Sequence, residues 1–214
     1  MILYAVPLSS YCAKVRLCLA LKGRTIDVRE PPGGTYRSAE YRAIVPSGTI
    51  PAIVDGDFVL AESDTILEYL EEVFPDPQLL PVDPKARARA RLLGRLHDLH
   101  LEPRVRALFA DVQAGRMAGG AAAAIQAKLD AIEANLDAEG PFAIGSRPGL
   151  ADCAYPATFA IIEAFMPLFD WKPDFGRRTL RWQAASRAHP AFETVIGPYR
   201  ATVAEWIRAR RSPN

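Results

Sequence analysis

The sequence lacks features that define several classes of protein. It has three cysteines, Cys12, Cys18 and Cys153, at spacings that match neither a Cys-x-x-Cys dithiol nor a metal site. A disulfide-stabilised secreted scaffold and a thioredoxin-like dithiol are therefore excluded, and we expect a reducing, cytoplasmic environment. No apolar run reaches the roughly 18 residues of a membrane span, so no membrane partner is expected. The chain enters its first apolar stretch at Ile2, which leaves no room for a signal peptide.

An excess of charge of one sign is also missing. The 26 Lys and Arg and 25 Asp and Glu residues give a formal net charge of +1, which offers no overall attraction to nucleic acid. The two parts of the chain differ, however, because residues 1–78 hold 7 basic and 11 acidic residues, whereas residues 79–214 hold 19 and 14. A length of 214 residues permits one large or two small domains.

The first 75 residues read as one small α/β domain. An Asp55-Gly56 pair between two short apolar runs predicts a β-hairpin, and Pro51 marks a special turn just before it. Apolar residues at helical spacing after Glu62-Ser63-Asp64 predict a helix. The order of elements, β-α-β, a variable helix and then β-β-α, predicts a thioredoxin-like fold with strands near residues 2–6, 25–29, 52–54 and 58–61, and helices near 10–22 and 62–74.

Beyond this domain the composition becomes helical. Four prolines fall between Pro75 and Pro84, so we interpret residues 76–84 as a linker. Residues 85–214 then form an all-α second domain. Its segments 85–113 and 121–138 show helical patterns, and 150–165 is apolar nearly all round, which predicts a buried central helix. Two or three shorter helices are expected after it.

Several short motifs, in order along the chain, carry a family resemblance. They are Ser9-Ser10 after the first strand, Val15 to Gly23, Ile50-Pro51, Glu62-Ser63, and Phe142 to Gly145 with Leu150-Ala151-Asp152. Together they resemble the soluble glutathione transferases of the serine type, similar to the zeta, theta and delta classes, over nearly the whole chain. The resemblance implies an enzyme that uses glutathione as cosubstrate, without a metal, to attack small electrophiles by conjugation, dehalogenation or isomerisation. Tyr11 and Lys14 depart from the zeta pattern, which puts the isomerisation of maleylacetoacetate in doubt.

The resemblance implies that Ser9 ionises the glutathione thiol. An unperturbed thiol of pKa near 8.5 is only a few per cent thiolate at pH 7, and a hydroxyl donor at a helix N-terminus favours the anion. Ser9 precedes the first helix, although a serine there also serves as an ordinary helix cap. Ser10 and Cys12 are the alternatives. Cys12 is expected to be buried and inert, but as a redox centre it would make the protein a thiol transferase.

The resemblance also assigns the binding of glutathione. Glu62 accepts from the γ-glutamyl ammonium, and Ser63 at the start of a helix donates to the γ-glutamyl carboxylate. Ile50 pairs its backbone with glutathione, and Pro51 follows a cis peptide bond. Candidates for holding the glycyl carboxylate are Arg37 and Thr49. Two further residues, Tyr11 and Phe109, are expected to line the electrophile pocket.

The last expectations concern assembly and two alternatives. Arg87, Arg91 and Arg95 form an i, i+4 stripe that we expect to face the acidic third helix of a second subunit, with Asp64 reaching the neighbouring site, in a twofold homodimer. His97 and His100 are expected to belong to an ordinary helix face rather than to a metal site. A binding or structural protein that keeps the fold without turnover is the alternative to an enzyme.

Overall fold

A computed structural model of the protein describes residues 1–211. The first domain contains a four-stranded sheet in the order β2-β1-β3-β4. Strand β1 runs parallel to β2 and antiparallel to β3, and β3 pairs antiparallel with β4 through the predicted hairpin. This topology confirms the thioredoxin-like prediction. The strands are β1 Ile2–Tyr4, β2 Asp27–Arg29, β3 Ala52–Asp55 and β4 Phe58–Ala61, and the helices are α1 Ser10–Leu21, α2 Ala39–Ile44 and α3 Ser63–Val73.

The second domain is helical, as predicted, and its helices are α4 Pro84–Arg95, α5 Glu102–Gln113, α6 Ala121–Asn135, α7 Leu150–Phe165, α8 Arg177–Ala188 and α9 Pro190–Arg211. A π-helical segment, Leu96–Leu101, joins α4 to α5. The expectation of short helices after residue 165 was wrong for α9, which has 22 residues. Pro198 lies in the interior of this helix. Helix α4 begins at Pro84, inside the predicted linker, because proline is favoured in the first helical turn.

One apolar core runs through both domains. Helix α7 is buried on nearly every side, as its all-round apolar sequence predicts, and α1 packs against it from the first domain. Cys18 on α1 and Cys153 on α7 are both fully buried and both free. Because α1 contacts the central helix of the second domain, the position of residues at its N-terminus is fixed by both domains.

Asp152 holds the start of α7, as expected for a structural residue. Its carboxylate accepts hydrogen bonds from the backbone N–H groups of Ala143 and Gly149, both at 2.8 Å, and from the indole N–H of Trp182 at 2.6 Å. Burial raises the pKa of Asp152 to about 6, and the three donors oppose that rise. Gly149 is the helix N-cap and has no side chain, so its backbone supplies the capping hydrogen bond that a serine hydroxyl would otherwise provide.

Among residues 1–211, no helix is long and apolar enough to cross a membrane. His97 is fully buried and bonds to Asp98 and Thr158. In the same range, no group of three or more His, Cys, Asp or Glu side chains is arranged to hold a metal ion. His97 is packed in the interior, whereas His100 on the same segment is exposed.

A candidate active site between the two domains

A cleft between the first domain and the π-helical segment contains most of the predicted glutathione-binding residues. It has a volume of about 310 Å³. The peptide bond between Ile50 and Pro51 is cis, and this turn forms one wall of the cleft, opposite Asp98 and Leu99. Predicted residues that line it are Tyr11, Thr49, Ile50, Pro51, Glu62, Ser63 and Asp64.

A second cavity of about 440 Å³ adjoins this cleft and shares Tyr11, Thr49 and Ile50 with it. It contains Ser9 and Phe109, so the predicted thiol-activating residue and the predicted electrophile pocket lie together. Its wall also includes Leu8, Tyr36 and Arg106. The two cavities together form one continuous site with a polar end and a largely apolar end.

Ser9 is the N-cap of α1 and lines the second cavity. Its Oγ accepts a hydrogen bond from the backbone N–H of Cys12 at 3.2 Å. Capping uses an oxygen lone pair, so the O–H can still donate, and the thiol of Cys12 lies within its reach. The helix N-terminus adds a partial positive charge at the same place. The capping role and the predicted catalytic role are therefore compatible in one residue.

Ser10 is fully buried and its hydroxyl is already engaged. It donates to Oε1 of Glu102 at 2.6 Å, and the Nη2 group of Arg106 donates to its oxygen at 3.0 Å. Glu102 is itself buried, and its carboxylate also pairs with Arg106. Ser10 therefore connects the start of α1 to α5 of the second domain and does not line either cavity.

Two other predicted residues also lie outside both cavities. The Cys12 side chain is only 1% exposed, and burial raises the pKa of its thiol, against hydrogen bonds from Ser9 and Val6. Arg37 is exposed and stacks over the ring of Tyr36 at 5.6 Å. The structure thus brings neither residue to the lining of the cleft.

Glu62 has an unusual backbone conformation at the edge of the cleft. Its φ of 70° lies in the left-handed region, which non-glycine residues rarely adopt. A conformation of this kind costs on the order of 1–3 kcal/mol and is characteristic of ligand sites. Glu62 is the N-cap of α3, and Ser63 is the first helical residue, in agreement with its predicted place at the start of a helix.

Tyr11 is held as a neutral phenol. Its hydroxyl donates to the backbone carbonyl of Asp98 at 3.2 Å. Burial, followed by the negative charge of Glu102, raises the pKa of Tyr11 well above its ordinary value. A tyrosinate is therefore excluded near neutral pH, and the ring serves as a wall between the two cavities.

Comparison with known proteins identifies the family. Residues 3–78 match the family model described as glutathione S-transferase, N-terminal domain. The maleylacetoacetate isomerase of Pseudomonas aeruginosa is 34% identical over 206 residues, which cover 89% of this chain and 92% of that protein. This chain belongs to the glutathione S-transferase family of enzymes.

Two further similarities refine this placement within the glutathione S-transferase family. A stringent starvation protein A homolog of Coxiella burnetii is 47% identical over 93 residues, but that match spans only 44% of each chain. A structure of maleylacetoacetate isomerase from Anaeromyxobacter dehalogenans, with bound dicarboxyethyl glutathione and citrate, is 28% identical and superposes with a TM-score of 0.69. That superposition covers 93% of this chain and 91% of the other.

This member of the family contains a buried charge network that sequence reasoning missed. The ammonium of Lys14, only 1% exposed, lies between the carboxylates of Asp64 and Asp98, with 2.8 Å to Asp98. His97 bonds to Asp98 at 2.6 Å and to Thr158 of α7 at 2.8 Å. Lys14 thus connects α1, α3 and the π-helical segment through two carboxylates that also line the cleft. The departure of Lys14 from the zeta pattern was the signal available in the sequence.

The arginine stripe has partners within the same chain. Arg91 makes two hydrogen bonds to Glu68 of α3, at 2.8 and 2.9 Å, and Arg95 lies 3.8 Å from Asp64. Arg87 donates to the backbone carbonyls of the linker. An open cleft of about 230 Å³ lies between α3 and α4. The contacts of the stripe across a dimer axis stay a prediction.

Proposed function

We propose that the protein is a glutathione transferase in which the Ser9 hydroxyl stabilises the thiolate of bound glutathione. The observation that carries this proposal is the position of Ser9, at the N-terminus of α1 and in the cavity next to the Glu62-Ser63 cleft. The thiolate then attacks a small electrophile bound between Tyr11 and Phe109. The glutathione conjugate bound to the Anaeromyxobacter relative supports the same class of ligand here.

The hydrogen bonds of the neighbouring residues favour Ser9 over the two alternatives. The hydroxyl proton of Ser10 already goes to Glu102, so it is not free for a ligand. The thiol of Cys12 is buried and its pKa is raised, which opposes the thiolate that a thiol transferase needs. Ser9 acts as a hydrogen-bond donor, and no covalent bond to it forms.

We assign the polar end of the cleft to the γ-glutamyl group of glutathione. Ser63, at the first position of α3, offers its backbone N–H and hydroxyl to the carboxylate, and the Glu62 carboxylate accepts from the ammonium. Ile50 and Thr49 lie midway between this end and Ser9, where the cysteinyl backbone would pass. Because Arg37 lines neither cavity, Thr49 is the better of the two candidates for the glycyl end.

The first prediction tests this assignment. Glu62→Ala and Ser63→Ala should each weaken glutathione binding by about 1–3 kcal/mol, because each leaves a charged group of the ligand without its partner. Isothermal titration calorimetry measures the dissociation constant. Glu72→Ala is the matched control, since Glu72 is exposed on the same helix and lines neither cavity. The absence of binding by wild-type protein at millimolar glutathione would overturn the proposed function.

A second candidate function is a binding protein that keeps the fold without turnover. It is favoured by the similarity to the stringent starvation protein A homolog, although that match covers less than half of each chain. Glutathione binding without turnover of any electrophile would support it. The position of the Ser9 hydroxyl in the cavity and the intact Glu62-Ser63 pair favour the enzyme.

We further propose that two copies associate through α3 and α4. The cleft between these helices has an apolar floor that includes Leu67, Leu80 and Leu150, with charged residues around it. Exposed ion pairs contribute little individually. Apolar contact should therefore provide most of the stability, while Arg87, Arg91 and Arg95 set the orientation.

Charge reversal tests the dimer. The triple variant with Arg87, Arg91 and Arg95 changed to Glu should shift the molecular mass seen by light scattering from dimer toward monomer. The double variant Lys85→Glu and Arg89→Glu is the control, because these exposed residues lie on the opposite side of α4. A wild-type monomer at micromolar concentration would rule out the arrangement.

A further inference from the structure

We propose that a small cavity in the second domain is a binding site for a neutral aromatic carboxamide, a single ring that carries an uncharged amide group. The cavity lies between α7, α8 and α9 and has a volume of about 30 Å³. Within the described residues 1–211, it shares no lining residue with either cavity of the candidate active site. The inference therefore goes beyond the proposed function and does not depend on it.

An unpartnered amide identifies this cavity as a candidate site. Gln183 of α8 lines it and is only 8% exposed. Its Nε2 is buried and has no hydrogen-bond partner among residues 1–211. The large majority of buried side-chain polar atoms have a partner, because an unmade hydrogen bond destabilises the folded state. An unpaired donor in the wall of a cavity is therefore a place for an acceptor atom of a ligand.

A second polar group lies beside this amide. Ser186 is three residues further along α8, on the same side of the helix, and lines the same cavity. It is 7% exposed, and its hydroxyl makes no hydrogen bond to any residue that the structure describes. Two nearly buried side chains of α8 thus offer hydrogen bonds that the described chain does not use.

The remaining buried wall of the cavity is apolar and mostly aromatic. It consists of Phe159, Trp182, Phe192 and Ile196, each at most 5% exposed. The rings of Phe159 and Trp182 pack edge to face, with their centroids 5.7 Å apart. The indole N–H of Trp182 already donates to Asp152, so this ring offers a ligand only its apolar surface. A wall of this kind favours a planar apolar ring.

The charged residues that line the cavity are paired with one another. Arg187 of α8 pairs with Glu163 of α7, and Arg200 lies 3.4 Å from Glu193 within α9. All four side chains are partly exposed, so the cavity opens to the surface between them. Their charges sum to zero, and both arginines already have a carboxylate partner. This balance favours an uncharged ligand over a carboxylate.

A carboxamide matches the groups in the wall. Nε2 of Gln183 donates to the carbonyl oxygen of the ligand, and Oε1 accepts from its N–H group, so two parallel hydrogen bonds form. The Ser186 hydroxyl can donate to the second lone pair of the same carbonyl oxygen. A carboxylate has no donor for Oε1, and a hydrocarbon leaves both atoms of the glutamine amide unpaired.

A nuclear magnetic resonance titration of the full chain with benzamide tests the site. The indole N–H signal of Trp182 should shift and saturate, with a dissociation constant in roughly the millimolar range, as for a ligand of about nine heavy atoms. Trp206 is the internal control, because it packs on Phe109 in the wall of the electrophile cavity, and its signal should not move. Toluene and benzoate should each bind about tenfold more weakly than benzamide, since neither pairs both atoms of the Gln183 amide.

A matched pair of variants tests the role of the amide. Gln183→Met keeps the length of the side chain and should lower the ratio of the affinity for benzamide to the affinity for toluene by about tenfold. A general loss of packing would weaken both ligands and leave this ratio unchanged. Gln113→Met is the control, because Gln113 is exposed on α5, outside all three cavities, and its ratio should equal that of wild type. Gln183→Leu serves if Gln183→Met does not fold.

Three results would overturn the carboxamide site. They are the absence of benzamide binding to wild type, a shift of the Trp206 signal in place of the Trp182 signal, and an unchanged affinity ratio in the folded Gln183 variant. None of them bears on the proposed function, which depends on glutathione binding at the other two cavities.

Discussion

Lys14→Met is expected to lower the free energy of unfolding by about 3–5 kcal/mol, the cost of removing one partner from a buried ion pair. The Lys14 ammonium is almost fully buried and is shared by Asp64 and Asp98, whose side chains are only 22% and 14% exposed. Methionine has a similar length but removes the buried cation, so Asp64 keeps only the more distant Arg95 and Asp98 keeps its hydrogen bond to His97. Urea denaturation of wild type and variant measures the difference.

The matched control for this prediction is Arg91→Met. Arg91 also pairs with a carboxylate of α3, but the side chains of Arg91 and Glu68 are 51% and 36% exposed. Pairs exposed to this extent contribute about 0–1 kcal/mol. Similar losses of stability in the two variants would contradict the buried network.

The effect of Lys14→Met should also depend on pH. Burial opposes ionisation of Asp98, but the hydrogen bond with His97 and the charge of Lys14 together hold its pKa below the ordinary value. A lowered native pKa contributes stability that is present at neutral pH and lost as the pH falls through the native pKa. The difference between wild type and Lys14→Met should therefore shrink as the pH falls through the lowered native pKa of Asp98, where that carboxylate becomes protonated.

Local signals in the sequence predicted the scaffold of the first domain well. The Asp55-Gly56 hairpin, the helix after Glu62 and the turn at Pro51 all appear where the sequence placed them. Each depends on a few adjacent residues, so a short window contains the information. Helix α7 was equally clear, because an all-round apolar helix can only be buried.

The charged interior could not be predicted in this way. Lys14 and Glu102 sit in helical patterns where a charged residue normally faces solvent. Their burial depends on partners 84 and 92 residues away in the chain, Asp98 and Ser10. The sequence showed which residues could donate and accept, but the packing of α1 on the second domain decides which of them meet.

Ser9→Ala is expected to raise the pKa of the bound glutathione thiol by one to two units and to lower kcat/KM about ten- to hundredfold below that pKa, since only the thiolate reacts. The variant loses the hydroxyl that caps α1 and lines the cavity. It should also lose about 1 kcal/mol of stability with the helix cap. Ser9→Thr keeps the hydroxyl and the helix cap. It should therefore recover the low thiol pKa, the kcat/KM and the stability.

Cys12→Ala is the control that distinguishes a serine-stabilised glutathione thiolate from a Cys12-dependent thiol transfer. Because Cys12 is 1% exposed and lies outside both cavities, its removal should leave the pKa of the bound thiol and the rate of conjugation within about twofold of wild type, with at most a small change in stability. Loss of activity in Cys12→Ala, together with reduction of mixed disulfides by wild type, would show that the serine assignment is wrong.

The measurement that tests the central claim most directly is a pH titration of the ultraviolet thiolate absorbance of glutathione bound to wild type and to Ser9→Ala. For wild type, the midpoint should lie one to two units below the value near 8.5 of an unperturbed thiol, and in Ser9→Ala it should return close to that value. Equal midpoints for the two proteins would contradict the account, because the thiolate would then owe nothing to the Ser9 hydroxyl.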